Sequence, residues 1–304
     1  MAILFDILPK RRPPRVLYQY TTQEGLIGIV SSKTIWATSA AYLNDTTEFS
    51  YGTETASEIL NELSGELGKE DNELIEKSRH EAQLLNVDNV FICSLTEERD
   101  LLSQWRAYTR GGMGYSVGFR SRAISKVTLE DKEFDLVRCL YKRSDQKRAL
   151  VAAIESAKAL AIQNKRQREA DELESRKLAA AAGPGQPHRF VLHRQIAPSL
   201  YLAWCCQLLA VIFKNPSFAE ENEWRLVAVG LKPLQLKYRA GKSMVIPYAE
   251  FKFPEASSDL PVIEEVVVGP CPHLEQSCRS TKMLLESQGF STPVWPSEVP
   301  YRSW

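Results

Sequence analysis

Apolar residues follow two periods along the chain: short strand-like runs, and stripes recurring at helical spacing. The run VLYQYT (16–21) has the β-branched and aromatic content of a strand, and Thr22 is placed to cap the helix EGLIGIVSS that follows. TIWATS (34–39) predicts a second short strand. AYLNDTTEFSYG is polar and turn-like, which puts Asn44, Asp45 and Glu48 on a loop or a helix start. From 53 to 85, Ile59, Leu63 and Leu67 recur among many Glu and Lys, the stripe of an amphipathic helix pair interrupted near Gly65 and Gly68.

VFICSL (90–95) is continuously apolar, as in a strand covered on both faces, and YSVGF (115–119) alternates like a half-covered one. The two are expected to be sheet neighbours. FDLVRCLY (134–141) predicts a third strand, after which Leu150, Ile154, Ala157 and Ala161 mark a long helix running into the mixed-charge NKRQREADELESRK. AAAAGPGQP (179–187) breaks that helix from the apolar one around Trp204. The last third returns to strands at WRLVAV (224–229), a hairpin near YRAGKSMVIPY and EEVVVGP (264–270). Leu274, Cys278, Thr281 and Leu285 then trace a helix to Gly289, followed by STPVW.

Strands do not alternate regularly with helices, so the pattern predicts an α+β sheet core with flanking helices, not a doubly wound parallel sheet. It divides into an extended, proline-punctuated arm (1–15), a first part of the core (16–143), a helical insertion (144–198) expected to be peripheral and dispensable, and a second part of the core (199–304). A length of 304 residues accommodates two domains or one α+β domain with such an insertion. Lys plus Arg and Asp plus Glu each number 38, so no net field draws the whole molecule to nucleic acid or an anionic membrane. Partners must come from local sites.

The opening MAILFDILPKRRPPR has an Asp inside its short apolar run and its basic residues after it, the reverse of a secretory signal. LYLAWCCQLLAVIF (200–213) is shorter than the ~20 apolar residues that cross a bilayer and reads as a buried helix. A cytoplasmic protein without a membrane partner is expected, its six cysteines reduced. The glycines of TRGGMGYSVGF precede and enter a strand, not a helix, so the geometry that aims helix amides at phosphates is missing. Cys271, His273 and Cys278 lack the spacing and the fourth ligand of a closed zinc site, and no metal is expected. Only His80, His188, His193 and His273 could serve a Ser or Cys nucleophile, and two of these lie in or beside the insertion.

Two polar clusters carry candidate chemistry. In SLTEERDLLSQWRAY (94–108), Gln104, Trp105, Arg106 and Tyr108 follow one strand and precede another, where a sheet end meets solvent. Trp105 or Tyr108 could stack on a base while Arg106 makes a bidentate contact; equally, Arg106 could pair with a carboxylate and Trp105 pack in the core. In FAEENEWRLV (218–227), alternation puts Glu223 and Arg225 on one strand face, either as an ion-pair brace or as a polar site in a cleft, and Trp224 on the other face as a core anchor. Asp45, Glu48 and Glu223 could also share a divalent ion in a nuclease, although no spacing demands one.

Together YQYTT (18–22), LNDTTE (43–48), RDLLSQWRAY (99–108), GMGYSVGF (112–119), ENEWRLV (221–227) and VVVGP (266–270) resemble, in order, the motifs of a bacterial domain-of-unknown-function family. More distantly, the Y-x-Y-T strand and the G-L-x-x-I helix resemble the opening of ADP-ribosyltransferase folds of the RNA 2′-phosphotransferase and DNA-modifying toxin kind. That resemblance implies a split-sheet core, NAD as substrate, a protein or nucleic-acid acceptor and a toxin or phage-defence setting. Carried over by position it assigns Gln19 to the ribose, Ser94 to the central strand and Glu223 to polarising the ribose as nicotinamide leaves; Arg106, from the 94–108 cluster, is expected to complete the catalytic set. Tyr18, Tyr20, Thr21, Asn44, Asp45, Glu48, Gln104, Trp105, Tyr108 and Arg225, at predicted strand ends and in adjoining loops, are expected around the nucleotide. Gln19 stands where the family has His; it can hydrogen-bond a hydroxyl but carries no proton. The rival reading is a recognition module without catalysis, braced by Trp105, Arg106, Glu223 and Arg225 and docking a protein through the helical insertion.

Overall fold

The computed structural model describes residues 7–8, 11–43, 46–83, 85, 89–109, 111, 113–131, 133–182, 193, 195–241, 243–254 and 261–301. Strand β1 (Val16–Thr21) feeds helix α1 (Gln23–Ser32), whose first turn is closed by the Thr22 hydroxyl accepting from the Gly25 amide at 3.3 Å. Strand β2 (Thr34–Ser39) follows, then helices α2 (Thr46–Ser64) and α3 (Lys69–Ala82), broken at the two expected glycines. Strand β3 (Val90–Thr96), helix α4 (Leu102–Tyr108), strand β4 (Tyr115–Arg120), helix α5 (Ser121–Asp131) and strand β5 (Phe134–Arg138) complete the first half. The 40-residue helix α6 (Arg143–Ala182) and helix α7 (Pro198–Ala210) lead to β6 (Glu223–Val229), the hairpin β7 (Lys237–Ala240) and β8 (Val245–Lys252), then β9 (Ile263–Val268), helix α8 (Leu274–Ser287) and β10 (Val294–Pro296).

The result is a mixed α+β fold on one open, mostly antiparallel ten-stranded sheet; β9 and β10 form its parallel pair. β3 is the branch point. One of its edges pairs with β6 from Val90↔Val229 to Thr96↔Glu223, and β6 carries β5 beyond it. The other edge is shared: Thr96 pairs with Tyr18 of β1, whereas Phe91 and Ile92 pair with Ser39 and Thr38 of β2. The sheet forks there into an arm β1-β4-β9-β10 and an arm β2-β8-β7. β3 and β4 are therefore not neighbours as expected, because β1 lies between them, paired with β4 over its whole length. An apolar run reports how far a strand is covered and carries no information on which strand lies beside it.

Both faces of the sheet are covered. On one, Phe91, Cys93 and Leu95 of β3 meet Leu26 and Val30 of α1, Ile124 of α5 and Leu285 of α8. On the other, Val90 and Ile92 meet α2, α3, α6 and α7. This two-sided burial is why β3 reads as continuously apolar. Ala149, Leu150, Ala153, Ile154 and Ala157 of α6 are at most 2% exposed within the second core, so the 144–198 segment is not peripheral over its first half. Beyond it Ile162 is exposed, as is Leu173 on the charged stretch that follows, where Asn164 and Asp171 alone are buried. Nor is the amino-terminal arm wholly detached, since Ile7 is buried in the same core.

Helices α2 and α7 touch backbone to backbone at Gly52, where a Cβ would sit 1.9 Å from the Ala210 carbonyl oxygen. Gly52→Ala is expected to lower stability by about 1–3 kcal/mol through overpacking, a loss that a denaturant melt would detect. No helix among the described residues is long and apolar enough to cross a membrane.

Candidate functional site

Where β1 and β2 part, β3 is left as the floor of a cavity of about 170 Å³. Period-two alternation aims Tyr18 and Tyr20 of β1, Trp36 and Thr38 of β2 and Ser94 of β3 into it. Gln19 and Cys93 close the base of the fork, with the Gln19 amide nitrogen donating to the Cys93 sulfur at 3.4 Å. Helix α4 forms one wall through Gln104 and Tyr108, four residues apart and so on one helix face. The opposite wall is Glu223 at the start of β6 and Glu221 in the 3₁₀ turn before it.

The polar groups divide into those already committed and those open to a ligand. The Tyr18 hydroxyl donates to Glu265 at 2.7 Å, and the Tyr20 hydroxyl donates to the Glu98 carbonyl while accepting from the Leu101 amide. Burial pushes both phenols well above their ordinary pKa, so they present neutral ring faces. Burial likewise pushes the Cys93 thiol up to about 12, which makes it a packing group and not a nucleophile. By contrast, Gln104 is a buried residue whose amide has no hydrogen-bond partner among the described residues, the half-buried Ser94 hydroxyl has none there either, and the Gln19 carbonyl oxygen is buried and unsatisfied. Unpaired buried polar groups are costly in a finished core, and here two amides, of Gln19 and Gln104, and the half-buried Ser94 hydroxyl leave bonding capacity on one cavity.

Glu223 is the site's fixed charge. Lys214 Nζ lies 2.5 Å from its Oε2, and Arg225 donates through Nε to Oε1 at 2.7 Å and through Nη2 to Oε2 at 3.2 Å. Lys214 also pairs with Glu221, and Arg225 reaches the Val211 carbonyl. Burial alone would raise the Glu223 pKa, but the two cations outweigh it and hold the carboxyl down to about 2. The brace and the polar site, alternatives in the sequence, are thus the same residue: an ionised carboxylate clamped by two cations whose edge lines the cavity.

Of the other expected site residues, several lie elsewhere. Trp105 is fully buried against Tyr20, ring centroids 4.6 Å apart, and its Nε1 donates to Asp100 at 2.6 Å. Arg106 points away from the cavity to stack on Tyr301 at 5.0 Å, since position 106 faces opposite Gln104 and Tyr108 on a helix. Thr21 packs against Gly25, and Arg225 stands behind Glu223 without reaching the cavity. Asn44 and Asp45 lie outside the described residues, as does the side chain of Glu48 in the first turn of α2. Of the nuclease constellation only Glu223 has a described side chain, and that carboxylate is engaged by two cations. Among the described residues no group of three His, Cys, Asp or Glu is arranged to hold a metal.

Trp36, Thr38, Leu43, Thr96 and Glu221 were not expected here. Alternation in TIWATS could have indicated the first two, because Ile35 and Ala37 claim the core face. No curated protein and no solved structure matches the chain at a significant level. The recognisable stretch runs from the cavity-lining helix α4 to β6: residues 104–226 match the family model described as Protein of unknown function (DUF2971).

Proposed function

We propose that the fork binds NAD or a related nucleotide by one ring, on an ADP-ribosyltransferase-like split sheet, and that the protein transfers ADP-ribose from it to a macromolecular acceptor. The observation that carries this reading is the convergence of Tyr18, Gln19, Tyr20, Ser94, Gln104, Tyr108 and Glu223, far apart in sequence, on one cavity. Three open hydrogen-bonding groups suit the edge of a carboxamide or base, and the aromatic walls suit its faces. At about 170 Å³ the cavity is smaller than the ~300–1,000 Å³ of pockets that enclose whole small ligands. One ring therefore enters, and the phosphates and second nucleoside lie outside.

Loss of nicotinamide builds positive charge on the ribose, which an ionised, preorganised carboxylate stabilises. Glu223 stays ionised, and its Oε1, which accepts from one Arg225 nitrogen, has a second lone-pair site for a ribose hydroxyl. The same ion-pair cluster favours a second reading, recognition without turnover, because the two cations already neutralise the carboxylate. The readings part on nicotinamide release, expected for the first and absent for the second.

Calorimetric titration with NAD tests the common ground. Because Ser94 and Gln104 satisfy nothing within the fold, Ser94→Ala combined with Gln104→Leu should leave the melting temperature unchanged or raise it, while weakening NAD binding roughly tenfold or more. Unaltered affinity in the variant, or no binding by the wild type, would sink the nucleotide reading.

A further inference from the structure

A groove of about 1170 Å³ lies beside the cleft and shares none of its residues. The start of β6 separates the two, Glu223 lining the cleft and the next residue, Trp224, the groove; in the turn before it Glu221 lines the cleft and Asn222 the groove. The free edge of β5 and the chain leading into α6 form one side, and the amino-terminal arm crosses the other.

Six cations line it: Arg11, Arg12, Arg138, Lys142, Arg143 and Arg148. Three are committed. Arg143 pairs with Glu58 and Glu62, Arg148 with Asp145, and Arg138 with Asn222 and, at 3.5 Å, with Glu97. Arg11, Arg12 and Lys142 are exposed and form no ion pair among the described residues. Pro13 and Pro14 fix the backbone after the arginine pair in an extended form, so the two guanidinium groups are presented by a stiff segment. Between these charges the floor is apolar, with Leu136, Leu140 and Pro216.

We infer that this groove binds a single strand of nucleic acid, its phosphates on Arg11, Arg12 and Lys142 and its sugars and bases over the apolar floor. A bare polyphosphate would use the cations and leave the floor uncovered. A mononucleotide would leave much of the groove empty, since its volume exceeds the ~300–1,000 Å³ of sites for one small ligand. The inference stands apart from the nucleotide reading of the cleft, and either can fail alone.

Fluorescence anisotropy of labelled DNA and RNA strands of roughly 12 nucleotides, with the full chain, tests it. Three phosphate contacts on a single strand give an expected fall in affinity of about 20-fold between about 50 and about 200 mM salt. The combined Arg11→Gln, Arg12→Gln and Lys142→Gln variant should bind at least about tenfold more weakly at the lower salt and lose most of that salt dependence, with an unchanged melting curve. If that variant melts early, each single substitution is measured in its place, at an expected loss of about threefold. Arg122→Gln with Lys282→Gln, on exposed positions outside the groove, should bind as wild type. Absence of strand binding, equal binding by the groove variants, or displacement of the strand by inorganic tripolyphosphate at equal phosphate concentration would overturn the assignment. Preference between the DNA and RNA arms identifies which strand the groove takes.

Discussion

Glu223→Gln is expected to destabilise the folded protein by about 3 kcal/mol, at the lower end of the loss on breaking a buried ion pair, because it removes a carboxylate shared by two buried cations while Lys214 keeps its pairing with Glu221. Lys214 and Arg225 are 2% and 4% exposed, so water cannot replace the carboxylate. A loss of that size lowers the melting temperature on the order of 10 °C. Linkage supplies an independent check. The folded-state pKa of about 2 lies below the ordinary carboxylate value of 4.5, so the contribution is complete above that value and disappears as pH falls from there toward 2. The difference is of the order of 3 kcal/mol, the same order as the loss expected on substitution. Melting curves across this range should show the wild type losing stability more steeply than the Gln variant. If the two run parallel, the clamp does not stabilise the fold. Turnover measured per folded molecule separates the catalytic role: stabilisation of a ribosyl cation predicts a further decrease of roughly 100-fold or more in nicotinamide release, and recognition alone predicts none to lose.

Local periodicity was enough to place the strands and the amphipathic helices because each buries its own face. The Val16–Thr21 and Thr34–Ser39 strands coincide with the apolar runs that predict them. What the runs do not encode is pairing. The fork at β3 arises from one contact with β1 and two with β2, and nothing within VFICSL distinguishes a strand with one neighbour on that edge from a strand shared by two. The cavity is correspondingly legible only in part. Ser94, Glu223, Tyr18 and Tyr20 stand out as polar or aromatic groups on otherwise apolar strands. Lys214 does not, although it is among the most buried charges, because its partner Glu223 lies nine residues on in sequence across a 3₁₀ turn. Arg106 was drawn into the site by its chemistry, and helical rotation directs it to Tyr301 instead.

The same limit governs the long helix α6, where charge-rich composition overshadows a short apolar stripe. Deletion of residues 144–198, closed with a short linker, is expected to yield an insoluble or molten product. Leu150 and Ile154 are 0% and 2% exposed and pack with α2 and α7; truncating either to Ala should cost about 2–5 kcal/mol. Those two losses alone approach the ~5–15 kcal/mol by which domains are stable, and deletion would further uncover Leu202, Cys205 and Leu209 of α7. Gln146 adds a polar tie, its amide donating to the Leu140 carbonyl at 2.8 Å. The outer half should behave differently: Ile162→Ala, at an exposed position on the same helix, is expected to change stability by no more than about 0.5 kcal/mol. Chemical denaturation of Ile154→Ala and Ile162→Ala, alongside near-ultraviolet circular dichroism of the deletion, reads the contrast directly. A soluble deletion product with cooperative unfolding would return the whole segment to the periphery and detach the second core from α6.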